Sequence, residues 1–316
     1  MVKLITIKHE SLLPYAWRKL TTRPWWYFET QRSYDSTRKR ALKLPPLRSA
    51  RDAGTLLLVM TRHDFFYDGI WAAWSWLQFI GDLAGVKICI DGEVQKDQAA
   101  AIKSVLPNAE VCSAREYINA APAGSNLLRF GQENPMGRKL LALISESRER
   151  TLIYSDDDVL VFNNPLEIRE LIANKKAGAF FHDAANALDG LVMERAAERG
   201  LDHYPRFNAG CQLIQQGSFP VETAEALLTP FSESFSVSTS IALGPAEQTI
   251  CSVLQNRSGA IRLPAERYVI SGKRQFYWEE DEDYSKIAVR HFIRPVRHVM
   301  YLHGYPHLLS RRPGGI

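Results

Sequence analysis

The chain has 316 residues, of which 46% are hydrophobic and 23% are charged. This composition excludes an intrinsically disordered or a fibrous protein, and the length is sufficient for one large or two smaller domains with an enzyme cleft. The net charge of +4 is uneven, because residues 1–54 contain twelve Lys and Arg against four Asp and Glu and so carry +8, while the other 262 residues carry −4. The basic character therefore belongs to an N-terminal extension.

Residues 1–54 are predicted to form this extension because they show no sustained strand or helix periodicity. They combine the basic residues with prolines and with the aromatic residues Tyr15, Trp17, Trp25, Trp26, Tyr27 and Phe28. Such a composition suits peripheral contact with an anionic membrane, and the alternative is that the aromatic side chains pack against the rest of the chain. Nucleic acid would attract the same charges, but no recognisable nucleic-acid-binding module is present, so no specific nucleic-acid partner is predicted.

Three features predict a cytoplasmic location. The longest apolar run, Ile70 to Ile80, contains Ser75 and Gln78 and is shorter than the roughly 18 residues that cross a bilayer. The first residues, MVKLITIKHE, show no secretory signal pattern. The four cysteines are far apart in the sequence and are predicted to be reduced residues rather than disulfides or a CxxC metal site.

Strands and helices alternate from Thr55 onward. Strands are predicted at 55–61, 86–92, 109–113 and 151–158, with helices over 69–82, 96–106 and 138–148 between them. The pattern continues with a strand at 178–183, a helix around 187–199, a turn and strand at 207–216 and a helix at 246–256. This order predicts an α/β fold over residues 55–316, with a mainly parallel sheet, helices on both faces, and ligands beyond the carboxyl ends of the strands.

Three consecutive carboxylates, Asp156, Asp157 and Asp158, end the predicted strand at 151–158. Asp156 and Asp158 point to the same side of an extended chain, so both can bind one divalent cation, which would relieve their mutual repulsion. The alternative is a solvated acidic turn in which Asp158 caps a helix. The position directly after a buried strand favours the metal site.

The segment IYSDDDVLVFNNPLEI resembles the DxD segment of nucleotide-sugar-dependent glycosyltransferases of the GT-A fold, particularly the retaining family that contains glycogenin and bacterial lipopolysaccharide galactosyltransferases. Further landmarks similar to that family occur in the same order over residues 55 to about 300. They are VMTRHDFFYDG at the first strand, a Lys-Leu pair before the DxD segment, and FNAG, Glu-Gln and HFIRPVR after it. The resemblance implies a Rossmann-like GT-A domain that uses Mn²⁺ or Mg²⁺ and a nucleotide-sugar donor, with a UDP-sugar expected.

The resemblance also implies a role for each landmark residue. The implied metal ligands are Asp156, Asp158 and His291. The implied contacts to the donor nucleotide and its diphosphate are Thr61, Asp64, Tyr67, Lys139, Asp157 and Arg297. The implied lining of the donor-sugar pocket is Asp183, Asn208, Glu247 and Gln248, and Gly210 is expected to permit close backbone approach.

The sequence departs from the family pattern at Arg294, where the family has Gly, at Arg297, where it has Lys, and at Glu247, where it has Asp. The implied activity is transfer of a sugar, with retention, to a glycan, a lipid-linked or another hydroxyl acceptor. A non-catalytic nucleotide-sugar-binding relative is one alternative, supported by Arg294. A metal-dependent nucleotidyltransferase is the other, although the Gly-rich phosphate loops that such enzymes usually need do not occur in the sequence. The sugar, the acceptor and the oligomeric state are left open.

Overall fold

The chain has an α/β fold built on a central β-sheet, as its sequence pattern predicts. A computed structural model describes residues 34–50, 54–183, 186–228, 240–270, 282–293 and 297–310, except for the side chains of 240–244. The strands are β1 (Thr55–Arg62), β2 (Gly85–Asp91), β3 (Glu110–Ser113), β4 (Thr151–Asp156), β5 (Val159–Val161), β6 (Ala179–His182), β7 (Phe207–Ile214), β8 (Ile261–Arg262), β9 (Tyr268–Ile270) and β10 (Val289–His291).

The helices cover both faces of the sheet. They are α1 (Phe66–Ile80), α2 (Lys96–Val105), α3 (Asn126–Glu133), α4 (Pro135–Glu149), α5 (Leu166–Asn174), α6 (Gly190–Glu198), α7 (Val221–Leu228) and α8 (Ser240–Arg257), followed by a C-terminal helix made of Arg297–Val299, Met300–Gly304 and Tyr305–Ser310. Helices α1 and α2 pack into one hydrophobic cluster and α4 and α8 into the other. The predicted two-faced sheet is therefore confirmed, while α3, α5, α7 and the C-terminal helix are additional to the predicted elements.

The described part of the main sheet has seven strands in the order β3-β2-β1-β4-β7-β6-β8. Strands β3, β2, β1 and β4 are parallel to one another, and β7 is antiparallel to both β4 and β6. The sheet is thus mainly parallel, with β7 as a reversed strand. The chain runs outward from β1 through β2 to β3 and then returns to β4 on the other side of β1, which leaves a crevice at the carboxyl ends of β1 and β4.

A second sheet, in the order β5-β10-β9, begins at the acidic segment. Strand β4 ends at Asp156 rather than at residue 158, because Asp157 and Asp158 form a turn that leads into β5. Strand β10 pairs antiparallel with β5, with His291 opposite Val159, and the Phe292 N–H donates to the carbonyl oxygen of Asp158 at 2.8 Å. This register brings the distant His291 to the acidic turn.

Helix α1 is apolar on nearly all sides, as is typical of a helix buried in a protein core. Its Ser75 hydroxyl accepts a hydrogen bond from the Val161 N–H at 3.0 Å, and its Trp76 indole donates to the Ser155 hydroxyl at 3.1 Å. These two bonds tie α1 to β5 and β4 on either side of the acidic turn. Among the described residues, no helix is both long and apolar enough to span a bilayer.

The described part of the predicted extension, residues 34–50, packs on α1. Ala41 and Leu44 are buried in the same hydrophobic cluster as α1. The indoles of Trp71 and Trp74 donate to the carbonyl oxygens of Arg38 at 3.1 Å and Pro45 at 2.9 Å. Residues 34–50 therefore share the core of the main body. The aromatic residues from Tyr15 to Phe28 lie outside the described residues, and their contact with a membrane stays a prediction.

We expect a chain that begins at Gly54 to be much less stable than the full chain. Truncation exposes the surface of α1 that Ala41 and Leu44 cover, and it leaves the two indole N–H groups without their carbonyl acceptors. The melting temperature, followed by circular dichroism, should fall by about 10 °C or more, because losses of several kcal/mol shift the transition by that amount in a domain of this size. Equal melting temperatures of the two chains would contradict the packing described here.

Candidate active site

The acidic turn and β10 form a cluster of two carboxylates and one imidazole. One ligand atom each from Asp156, Asp158 and His291 lies within 4.8 Å of the others. The His291 Nε2 is 3.0 Å from Asp158 Oδ1 and 3.9 Å from Asp156 Oδ2. Asp158 and His291 are buried, whereas the Asp156 side chain is 30% exposed. The cluster is therefore open to ligands on the Asp156 side.

These three residues fit a divalent cation. Within the described part of the chain, the buried Asp158 Oδ1 has no polar partner other than the His291 Nε2 at 3.0 Å. Burial opposes the charged state of this carboxyl group, but the nearby His291 and Arg297 outweigh it and lower its pKa. Two carboxylate oxygens and one imidazole nitrogen form a donor set that Mn²⁺ accepts and that agrees with the implied Mn²⁺ or Mg²⁺ site.

Asn208 determines which nitrogen of His291 faces this cluster. Its Oδ1 accepts from the Gly210 N–H at 2.9 Å, and its Nδ2 donates to Asp183 Oδ2 at 3.0 Å, so an obligate donor and an obligate acceptor settle the orientation of the amide. The same Oδ1 lies 3.0 Å from His291 Nδ1, which must therefore be the protonated nitrogen. Nε2 therefore points to the carboxylates, which, against the effect of burial, raise the pKa of His291 and favour a second proton on Nε2 when no cation is bound. A bound cation would replace that proton, because a metal ligand must offer its Nε2 lone pair.

Gly210 provides the space that the imidazole occupies. A Cβ atom at this position would lie 2.1 Å from His291 Cε1 and 2.9 Å from Asp156 Oδ2. Both distances are well inside van der Waals contact, so only glycine allows β7 to pass this close to the cluster. A close approach to the Gly210 backbone was expected from the sequence. In the structure, the group that approaches this backbone is the His291 imidazole, a candidate metal ligand of the same chain.

Lys139 connects the cluster to α8. Its Nζ lies 3.4 Å from Asp156 Oδ1 and 3.6 Å from Glu247 Oε1, and it donates to the Ala209 carbonyl oxygen at 3.0 Å. Burial disfavours the Lys139 cation, but the two carboxylates outweigh this effect and raise its pKa. Burial in turn raises the pKa of Glu247, which is 2% exposed. Lys139 is thus shared by two carboxylates, Asp156 beside the cleft and the buried Glu247.

Asp157 lies on the other side of the turn from the cluster. Its carboxylate accepts from the Thr61 hydroxyl at 2.7 Å and from Arg297 Nη2 at 2.6 Å. Burial nevertheless raises the pKa of Asp157 to about 7, against the lowering effect of Arg297. Thr61 is positioned at the carboxyl end of β1 because Met60 pairs with Asp156 in the β1–β4 register. The β1–β4 crevice therefore contains a threonine, an arginine and three adjacent carboxyl groups.

A cleft of about 450 Å³ opens at this crevice. It is lined by Met60, Thr61, Arg62, Asp91, Pro135, Met136, Lys139, Tyr154, Asp156, Asp157, Asp158 and Arg297. Six of the residues singled out in the sequence line it, namely Thr61, Lys139, Asp156, Asp157, Asp158 and Arg297. The volume is within the range that holds a small organic ligand.

The remaining residues singled out in the sequence are not among those that line the cleft. The Asp64 side chain is 72% exposed and lies 3.7 Å from Arg62 Nη2, and Tyr67 packs partly buried against the α1 cluster. Gln248 Oε1 accepts from the Ala209 N–H at 3.4 Å, and its Nε2 donates to the Ala187 carbonyl oxygen at 3.0 Å. Their roles toward a nucleotide or a sugar stay predictions, and Arg294 lies outside the described residues.

Two groups at the site were not expected from the sequence. Asp91, at the carboxyl end of β2, lines the cleft and accepts from Arg138 Nε at 2.7 Å. Asp68, in the first turn of α1, contacts Arg297 Nη2 at 3.2 Å. Asp91 ends a predicted buried strand, a position typical of ligand contacts in α/β proteins, and this signal could have identified it. Nothing in the local sequence pattern distinguishes Asp68 from a first-turn helix residue.

No family model and no curated protein sequence matches the chain. Among solved structures, it resembles the bifunctional glycosyltransferase WbbM with a TM-score of 0.50 and 11% identity, covering 84% of this chain and 52% of that one. It also resembles mouse xyloside xylosyltransferase 1 (TM-score 0.47, 11% identity, covering 79% and 99%) and the galactosyltransferase LgtC (TM-score 0.46, 15% identity, covering 82% and 97%). The likeness to WbbM shows that the fold is that of the GT-A glycosyltransferases, and the chain spans about half the length of WbbM.

Proposed function

We propose that the chain is a metal-dependent glycosyltransferase that transfers a sugar from a nucleotide-diphosphate sugar, with a UDP-sugar as the expected donor. The observation that carries the proposal is the convergence of Asp156, Asp158 and His291 beside a cleft of about 450 Å³ in a GT-A fold. The acceptor is a glycan, a lipid-linked or another hydroxyl compound, and the anomeric configuration is retained. These finer assignments follow from the family resemblance in the sequence.

Asp156, Asp158 and His291 would hold the divalent cation. When bound, this cation supplies positive charge to the diphosphate leaving group as the anomeric bond breaks. Lys139 and Arg297 add fixed positive charge along the same cleft, and their positions are set by carboxylate partners before any substrate binds. Asn208 holds the His291 tautomer that leaves Nε2 available as a ligand atom.

The donor sugar is proposed to lie between β7 and the middle of α8, next to Asp183, Asn208, Glu247 and Gln248. Asn208 and Asp183 are already hydrogen-bonded to each other at 3.0 Å, and Glu247 is buried against Lys139 and the Cys251 thiol. Such a buried polar environment contains little water, which favours sugar transfer over hydrolysis of the donor.

The test is the release of nucleotide diphosphate from a panel of UDP- and GDP-sugars, with Mn²⁺ and with EDTA. Release that depends on Mn²⁺ and on one donor supports the proposal. Tight UDP binding without turnover of any donor would favour a non-catalytic nucleotide-sugar-binding relative. Release of pyrophosphate from nucleoside triphosphates instead would favour a nucleotidyltransferase.

We expect replacement of Gln248 by Ala to lower turnover much more than UDP affinity. Gln248 bridges the Ala209 N–H and the Ala187 carbonyl oxygen near the proposed sugar pocket, and it is not among the residues that line the cleft. A loss of interactions made only in the transition state lowers kcat without weakening nucleotide binding. Turnover is measured with the donor from the panel and UDP affinity by titration calorimetry. A large loss of UDP affinity would contradict the placement of Gln248 beside the sugar.

A further inference from the structure

Asp68 is a buried carboxylate outside the metal-ligand cluster, and it is 0% exposed. Its Oδ1 accepts from Arg38 Nε at 3.0 Å and from the Tyr305 hydroxyl at 2.8 Å. Its Oδ2 accepts from Arg297 Nη2 at 3.2 Å and from the Tyr301 hydroxyl at 2.9 Å. Each oxygen therefore already has two donors, which uses the hydrogen-bonding capacity of the carboxylate. Asp68 can orient its neighbours but has no acceptor capacity left for a ligand.

Arg297 is the neighbour that reaches the cleft. Its Nη2 is shared between Asp68 Oδ2 and Asp157 Oδ1, and its Nε donates to the Tyr301 hydroxyl at 3.2 Å. Its Nη1 is 3.6 Å from Asp158 Oδ2, which is beyond a direct hydrogen bond. Among the described residues, the guanidinium is thus held through Nε and Nη2, and Nη1 has no direct hydrogen-bond acceptor. Nη1 is therefore available to a further acceptor in the cleft that Arg297 lines.

Arg38 comes from the N-terminal segment 34–50 and is the second cation on Asp68. Its side chain is only 11% exposed, and its Nη2 donates to the carbonyl oxygen of Asp64. Its guanidinium lies 4.6 Å from the centre of the Phe65 ring, and the Arg297 guanidinium lies 4.5 Å from the same ring. Two arginines from opposite ends of the chain therefore share one carboxylate and one aromatic ring.

Because Asp68 is shared with Arg38, it determines the direction in which the Arg297 side chain points. An arginine and an isolated carboxylate prefer a bidentate pair with two parallel hydrogen bonds. Because Arg38 and the Tyr305 hydroxyl occupy Oδ1, Arg297 reaches Asp68 through a single nitrogen and extends toward Asp157. Without Arg38, Asp68 Oδ1 would keep only the Tyr305 hydroxyl as a donor, and its free acceptor position would draw Arg297 into a bidentate pair, away from the cleft.

We propose that Asp68 and Arg38 are positioning residues that direct the Arg297 guanidinium toward the phosphate groups of the donor nucleotide. The inference rests on the proposed function, since the ligand of Arg297 is the diphosphate of that donor. It extends the site into residues 34–50, which the sequence resemblance to glycosyltransferases does not cover. The N-terminal segment then contributes to nucleotide affinity as well as to folding.

The experiment compares Arg38→Met with Arg40→Met, an exposed arginine of the same segment. Affinities for UDP and for uridine are measured with Mn²⁺ by titration calorimetry and by saturation-transfer NMR. We expect Arg38→Met to weaken UDP binding about tenfold, within the range of typical coupling between groups in one network, and to leave uridine binding unchanged. Arg40→Met should bind both as the wild type does.

The uridine measurement separates positioning from a merely structural role. Equal losses of UDP and uridine affinity in Arg38→Met, or no loss of either, would overturn the proposal. If Arg38→Met does not fold, Asp68→Asn is used, which keeps the size of the side chain but removes the charge that holds Arg297 Nη2 at 3.2 Å. A loss of UDP affinity alone is again the expected result, and equal behaviour toward both ligands overturns it. Failure of the wild type to bind UDP would overturn the proposed function and this inference with it, whereas wild-type binding that Arg38 does not affect overturns this inference alone.

Discussion

Replacing Asp158 with Asn is expected to lower the rate of sugar transfer about a thousandfold. A metal ion in such a site supplies several kcal/mol of transition-state stabilisation, and each 1.36 kcal/mol corresponds to about a factor of ten in rate. The Asn side chain keeps the size of Asp158 but removes the charge beside the His291 Nε2, so one of three candidate metal ligands is lost. The rate is measured as nucleotide release from the donor identified in the panel.

Asp202→Asn is the matched control, because the Asp202 side chain is 84% exposed. Among the described residues, its carboxylate contacts only the adjacent His203, through the backbone N–H at 2.8 Å and the imidazole ring at 3.9 Å. Mn²⁺ affinity, followed by electron paramagnetic resonance of the free ion, gives a second readout that does not depend on turnover. We expect the Asp158 variant to lose Mn²⁺ affinity and the Asp202 variant to keep it. An Asp158 variant that retains Mn²⁺ binding and activity would show that the cluster is not a metal site.

Replacing Gly210 with Ala is expected to abolish metal-dependent nucleotide binding although no ligand atom is removed. The added methyl group would lie 2.1 Å from His291 Cε1 and 2.7 Å from Nδ1, so the imidazole must leave its present position. This displacement breaks the hydrogen bond from His291 Nδ1 to Asn208 and moves Nε2 away from Asp158. Overpacking of this kind typically costs about 1–3 kcal/mol of stability as well.

Gly190→Ala is the control for this variant, since a Cβ at Gly190 meets no atom within 4 Å and its backbone is not in the left-handed region. UDP affinity is titrated with and without Mn²⁺ for both variants. We expect Gly210→Ala to lose the difference between the two conditions and Gly190→Ala to keep it. A Gly210 variant whose UDP affinity still rises with Mn²⁺ would contradict the role of His291 as a ligand.

The alternation of strands and helices and the acidic end of β4 were predictable because both are local properties of the chain. A buried parallel strand is a short apolar run, and a run that ends in Asp156, Asp157 and Asp158 places charge where open α/β sheets bind ligands. The family landmarks then indicated Thr61, Lys139 and Arg297, and all three line the cleft. The boundaries were less accurate, since β4 ends at Asp156 when the chain enters the second sheet.

The partners of these residues were decided by tertiary structure alone. Arg297 was predicted to face a diphosphate, but its contacts with Asp157, 140 residues away, and with Asp68, 229 residues away, depend on how the C-terminal helix packs on α1. Asn208 was predicted to face a sugar, and its contact with His291 requires that β7 and β10, which belong to different sheets, approach at Gly210.

The physical reason is the range of the interactions. Hydrophobic periodicity records which face of a segment is buried, and it acts between residues that are a few positions apart. A buried carboxylate such as Asp68 is stable only when donors from Arg38, Arg297, Tyr301 and Tyr305 surround it, and the segments that carry them are brought together by folding. The sequence by itself therefore determined the sheet, its carboxyl-end crevice and the types of residue in the site, whereas packing decided the hydrogen-bond partner and orientation of each.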